Sequence, residues 1–339
     1  MGTMEDKNKF LFYTILLSGL FLITGILSIC IGQVKLPFSS VVTSIINKEN
    51  PTVKAIVIDI RLPRFLLSAA VGGMLALSGL SLQTLFRNPL VDPYFLGVSS
   101  AAEFGISIAI LMGVNFTLFG VSFISFFAFI SALILILILI KISSSLGVKS
   151  SKAAIVLVGI AISYVFSSVN NLIALYKKDL FLKTTFWSMK GFNNASISQF
   201  YFSLPFLIIG FIILLKNSKK MNIYLSSDLT AHSLGIDLKK FTVLILTVSA
   251  LLTSVSVVVS GTIVFVGLFI PHIGRILVGD ERKNLTVITL LLGLVLLPVF
   301  DLVSRTALPS QEIPVNTIVS AIGAPFFLYL FLKRKNETH

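Results

Sequence analysis

The stretch RLPRFLLSAAVGGMLALSGLSLQTLFRNPLVDP, residues 61–93, decides the class of the fold. From Phe65 to Phe86 it carries no charge, and only Ser, Thr, Gln and Gly interrupt the apolar side chains. A run of about 20 such residues matches the hydrocarbon thickness of a bilayer. Arginines bound it at both ends, and Pro89 and Pro93 follow within a few residues, fixing the backbone and denying it helical hydrogen bonds. The stretch therefore predicts a transmembrane helix that ends in a stiff turn.

Runs of the same kind recur on either side. The expected spans are 10–31, 65–86, 95–113, 118–142, 153–176, 199–215, 241–260, 262–279, 285–303 and 314–332. No polar stretch between them is long enough to fold separately, so residues 1–339 read as a single transmembrane domain, all-α, with about ten transmembrane helices. Gly79, Gly97, Gly105, Gly159, Gly267 and Gly293 lie inside the spans, where small residues let helices pack closely. The run from Phe10 to Ile31 exceeds a signal-peptide core, and no small-x-small cleavage site follows it, so it is expected to be retained.

Composition agrees. The chain is 55% hydrophobic and 12% charged, with a mean hydropathy of +0.98, whereas a soluble domain has about a quarter of its residues charged. A net charge of +13 would point to nucleic acid in a soluble protein. Here the bases sit in short loops between apolar runs, as the positive-inside rule requires, and no nucleic-acid partner is implied. Cys30 is the only cysteine, which excludes an intrachain disulfide and a cysteine-built metal centre. The absence of a GxxxxGK[ST] loop excludes ATP hydrolysis by that route.

An even number of spans puts both termini on one side, and most of the 27 Lys and Arg fall on that side, so both termini are expected in the cytoplasm. Two segments of the opposite face, Lys35 to Arg64 and Lys177 to Lys190, are also basic, which an acidic partner would explain. Ser78-Gly79 precedes Pro89 by the same spacing as Ser260-Gly261 precedes Pro271, a weak echo of the inverted repeats found in transporters.

Four segments carry chemistry. Arg61 and Arg64, read as exposed guanidinium forks, either clamp an acidic partner or anchor a helix at the headgroups. The turn from Asn88 to Pro93 is either a gate or an ordinary connection. Between Met221 and Lys240, Leu225, Leu229, His232 and Ile236 recur at helical spacing, giving a short amphipathic helix that docks on a partner or lies in the headgroups. Residues 261–275 place Pro271 and His272 inside an apolar span, and residues 301–325 hold Asp301, Arg305, Glu312 and Pro314.

In this order and spacing the segments resemble the permease subunits of ABC importers for iron-siderophore, haem and cobalamin, the FecCD-like family. The resemblance runs from about Arg61 to Arg334 and rests on RLPR, SGxxxQxxxRNPL, Leu234-Gly235-Ile236-Asp237, GLxxPHxxR, DxxxR and ExP. It implies a type II ABC importer permease in the inner membrane of a prokaryote, working as a homodimer within membrane lipid. Two cytoplasmic ATPase subunits would hold ATP and Mg, and an external binding protein would deliver the substrate. This chain would itself bind no cofactor and no metal, and would not be an enzyme. By motif match, Arg61, Arg64 and Arg305 would meet the binding protein, Asn88, Pro89 and Leu90 would form the cytoplasmic gate, and Leu225, Asp228, Ala231, Leu234, Gly235 and Lys239 would contact the ATPase.

Glu103 departs from the family pattern, which has a small residue there. An acid inside a span is a functional hypothesis by default. It either lines the pathway or is hydrogen-bonded between helices, and Gln83, Asn170 and Asn171 are further candidates for the pathway wall. The competing class is an ion-coupled secondary transporter using Glu103, Asp301 or His272. An intramembrane protease would need a nucleophile beside His272 or paired acids, and the sequence shows neither.

Overall fold

The computed structural model describes residues 4–32, 36–46, 51–113, 117–118, 121–145, 152–176, 178–308 and 311–337; Lys35 and Lys177 of the two basic segments lie outside them. Among the described residues the chain forms fifteen α-helices. These are α1 (Met4–Cys30), α2 (Phe38–Ile46), α3 (Pro51–Ala55), α4 (Leu62–Phe86), α5 (Val98–Met112), α6 (Phe123–Ser145), α7 (Lys152–Tyr176) and α8 (Lys178–Ser188). They continue as α9 (Ile197–Lys216), α10 (Ser218–Ser226), α11 (Asp228–Ser233), α12 (Leu238–Ser260), α13 (Val266–Val278), α14 (Arg282–Thr306) and α15 (Val315–Glu337). A π-turn, Ile56–Arg61, joins α3 to α4, and one two-residue antiparallel strand pair, Thr117–Leu118 with Val121–Ser122, precedes α6.

Every expected span contains a helix, but seven are long and apolar enough to cross a membrane. The helices at 98–112 and 266–278 are shorter, and of α15 residues 315–329 form the apolar part. At 1.5 Å per residue, the 13 residues of α13 reach only about 20 Å. The shortening has a local cause: residues 261–264 are not helical, and Phe265 adopts a left-handed φ of 69°, so the expected 262–279 span starts late.

α4 is the axis of the bundle. It is almost entirely buried and packs against α14, α12, α9 and α13, whereas α1 and α7 expose most of their apolar surface. Two glycine crossings permit this. A Cβ on Gly72 would overlap the Gly293 carbonyl of α14, and one on Gly79 would overlap the Gly267 carbonyl of α13. Between α4 and α12 the hydroxyl of Ser78 meets Ser249 Oγ at 2.6 Å and Thr253 Oγ1 at 2.7 Å. Hydroxyls pairing across helices satisfy one another where water is absent.

The Ser-Gly echo falls at unlike places. Gly79 sits in mid-helix at a crossing, while Gly261 ends α12 with a φ of 72°. Between Met221 and Lys240 there are two short helices, not one: Ser227 breaks the run with an extended backbone and caps α11, its Oγ accepting from Thr230 N at 2.9 Å.

Candidate functional site

The expected site residues fall into three groups, at the start of α4, at its end, and against α5. At the start, Arg64 Nε donates to Asp301 Oδ1 and Oδ2 at 3.0 and 2.9 Å, and its Nη2 to Oδ1 at 2.8 Å. Its Nη1 donates to Glu312 Oε2 at 3.0 Å. Arg305 Nη2 donates to Ser28 O and Oγ at 2.7 and 2.8 Å, and Arg61 Nη1 to Ile29 O at 2.6 Å. The three arginines therefore tie α1, α4 and α14 together.

They are not the exposed forks expected of them: Arg61, Arg64 and Arg305 are 5%, 5% and 4% exposed, and Asp301 is fully buried. The reason is reach. The carboxylates that claim Arg64 lie 237 and 248 residues away in the sequence, so no local pattern announces them. Asp301 is consequently engaged in a bidentate ion pair. Glu312, whose side chain is 22% exposed, is the open edge of the cluster.

At its other end α4 stops on Arg87, which adopts a left-handed conformation (φ 50°) and donates its N–H to Gln83 O and Thr84 O. Asn88 Oδ1 then accepts from Leu90 N at 3.1 Å, and Asp92 Oδ1 from Tyr94 N at 2.9 Å, so side chains satisfy the amides of the proline-bounded turn. Asn88 and Leu90 border an apolar hollow of about 490 Å³ together with Phe95, Leu157, Ile160 and Phe327.

The Arg87 guanidinium leaves this turn and reaches α10 and α11. Its Nε donates to Tyr224 O at 2.9 Å, its Nη2 to Asp228 Oδ1 at 2.7 Å, and it lies 4.7 Å from the centre of the Tyr224 ring. Arg87 belongs to the RNPL motif of the sequence, which by itself assigns it no role. Beyond it, a groove of about 610 Å³ is lined by Asp228, Leu229, His232, Gly235, Ile236 and Lys239. Leu229 and Leu234 are 85% and 62% exposed, while Ala231 and Ile236 face inward. Leu225 is half-buried and Lys239 is exposed. Asp237 caps α12, and the Lys240 N–H at 3.0 Å holds its carboxyl below the usual value.

Gln83, expected on a pathway wall, is buried in the seam between α4 and α13. Its Nε2 donates to Gly267 O and Leu268 O at 3.1 Å each. Pro271 stands four residues after Gly267 and has no N–H to give it, so Gln83 supplies the missing donor. His272 packs edge-on against Phe326, with ring centres 5.7 Å apart.

Glu103, Asn170 and Asn171 do come together. With Ser167, Phe181, Thr184, Thr185 and Ser188 they line a cavity of about 130 Å³ between α5, α7 and α8. The α8 wall was not foreseen, because residues 178–188 mix lysines with apolar residues too evenly to read as a span.

The FecCD transport family matches residues 20–333. The chain belongs to that family. It is similar to the "Cobalamin import system permease protein BtuC" of Halobacterium salinarum, 34% identical over 84% of this chain and 75% of the relative. It is also similar to the "Probable heme-iron transport system permease protein IsdF" of Staphylococcus aureus, 30% identical over 98% and 99%. A solved metal-chelate type ABC transporter in an inward-facing conformation superposes with a TM-score of 0.82 at 30% identity, covering 94% of this chain and 98% of the other. The FecCD-family chain is thus a multi-pass permease of an ABC importer, and its helices serve transport.

Proposed function

We propose that this permease carries a metal chelate or corrinoid, of the iron-siderophore, haem or cobalamin class, inward across the cytoplasmic membrane of a prokaryote. It works as a homodimer of ten-span subunits with both termini in the cytoplasm. Two ATPase subunits, holding ATP and Mg, seat on the Asp228–Lys239 groove, and an external binding protein docks at the face that carries Arg61, Arg64, Arg305 and Glu312. The turn at Asn88, Pro89 and Leu90 is the cytoplasmic gate.

The observation that carries this reading is the Arg87 link. A groove whose leucines lie open to a partner is joined by one guanidinium to the proline-bounded turn at the end of the central helix. Movement of a partner in that groove would reach the turn without passing through the bundle. The secondary-transporter reading loses two of its three groups, since Asp301 is locked to Arg64 and His272 is packed on Phe326, and Glu103 alone remains.

Reconstitution with the cognate ATPase and binding protein tests the proposal. Uptake of a chelate into proteoliposomes should require ATP and both partners, and uptake driven by an ion gradient without the ATPase would overturn it.

A further inference from the structure

The cavity beside α5 sets a carboxylate among amides and hydroxyls, several of which present free oxygen lone pairs. Thr184 Oγ1 spends its proton on Leu180 O at 3.0 Å, and Ser188 Oγ on Thr185 O at 2.9 Å, so both present lone pairs. Both polar side-chain atoms of Asn170 are buried without a hydrogen-bond partner among the described residues. Glu103 accepts Ser107 only through its backbone carbonyl, at 3.1 Å, and its carboxylate makes no ion pair or hydrogen bond with any described residue. No Lys or Arg lines the space among the described residues, and the Phe181 ring forms part of its wall.

Contrast this with Asp301, an acid in the same bundle that is satisfied by a bidentate arginine. An unpaired carboxylate among helices is costly, and no cationic group among the described lining residues answers Glu103, while Thr184, Ser188 and Asn170 Oδ1 add oxygen lone pairs beside it. An aromatic face beside an anion is the pairing that alkylated ammonium groups favour. About 130 Å³ admits a head of that size and not an entire chelate.

We propose that this cavity is a cation subsite, in which Glu103 pairs with an alkylammonium-type group, Asn170 and Thr184 add acceptors, and Phe181 covers the group. Resting on the importer reading, the subsite would engage a cationic arm of the cargo as it crosses. That places positively charged chelates among the preferred substrates. The cation preference itself is a property of the permease alone.

The test uses purified full-length permease with Cys30→Ala and a single thiol at the cavity rim, Asn171→Cys. The probes are 2-(trimethylammonium)ethyl and 2-sulfonatoethyl methanethiosulfonate. With Glu103 present, the cationic reagent should gain about tenfold over the anionic one, relative to their ratio on a free thiol, as one unit of charge a few ångströms away requires. Glu103→Gln should return the ratio to the free-thiol value. Choline should slow labelling by uncharged methyl methanethiosulfonate, and its neutral isostere 3,3-dimethylbutanol should not. Equal ratios with Glu103 and with Gln at this position, or equal protection by choline and its isostere, would overturn the subsite. If Asn171→Cys does not fold, Thr184→Cys offers a second position with the same expectations. Because no ATPase is present, these outcomes are separate from the failure of ATP-driven uptake, which would sink the importer proposal instead.

Discussion

The two ends of α4 treat charge in opposite ways. At its start, the buried fork of Arg64 is answered by Asp301 and Glu312, and Arg305 turns to Ser28, so the end is closed on itself. At its finish, Arg87 is partly exposed and bonded to a helix pair whose Leu229 lies open among the described residues. A buried ion pair confers specific geometry and is expensive to break, while an exposed apolar groove is stable only until a partner arrives. The first arrangement fixes a bundle, and the second transmits to it.

The contrast predicts a graded series. Asp301→Ala leaves Arg64 with Glu312 alone and removes the carboxylate oxygen 3.8 Å from Arg305 Nε; it should cost about 3–5 kcal/mol, read as a large fall in the thermal unfolding midpoint in detergent. A midpoint close to wild type would mean the cluster is not what closes that end. Leu229→Glu with Leu234→Glu should leave the midpoint nearly unchanged, yet reduce ATPase co-purification and ATP-driven uptake by about tenfold or more. Retained uptake would place the engine contact elsewhere. Gly235 is a poor probe of the same groove, because its φ of 79° would strain any side chain.

Arg87→Lys keeps the charge but loses the planar fork that serves Tyr224 O and Asp228 together. It should lower uptake per ATP hydrolysed by roughly two- to fivefold without loss of ATPase binding. Unchanged coupling would make Arg87 a mere anchor.

The smallest effect belongs to Lys190, half-buried in the loop between α8 and α9, where burial lowers its pKa to about 8 from 10.5. The folded state then binds fewer protons than the unfolded state between these values, so stability rises with pH across that window. The penalty is fully present below pH 8 and relieved above 10.5. Relative to Lys190→Met, wild type should gain about 1 kcal/mol or less over the window, discounted for its partial exposure. A flat difference would show that Lys190 remains solvated.

Run length alone located ten apolar segments that each contain a helix, because apolar content is a local property, but it missed the shorter α2, α3 and α8. The shortness of α13 was hidden, since its cause is backbone geometry at 261–265 in a stretch as apolar as any span. The candidates at Glu103, Asn170 and Asn171 were legible as polar residues in apolar surroundings, and the structure sets them around one cavity. The burial of Arg64 was not legible, because it depends on α14 folding back over α4. Gln83 was misplaced for a related reason: its partner is a vacancy in the hydrogen-bond ladder of another helix.

That vacancy makes Gln83 and Pro271 a single inherited unit. Restoring an N–H with Pro271→Ala would give Gly267 O its own donor and release the amide of Gln83, while changing Gln83 alone would orphan a buried carbonyl. Across descendants of this chain, loss of the glutamine should therefore follow loss of the proline and seldom precede it. The seam thereby writes an order of substitution into two positions 188 residues apart.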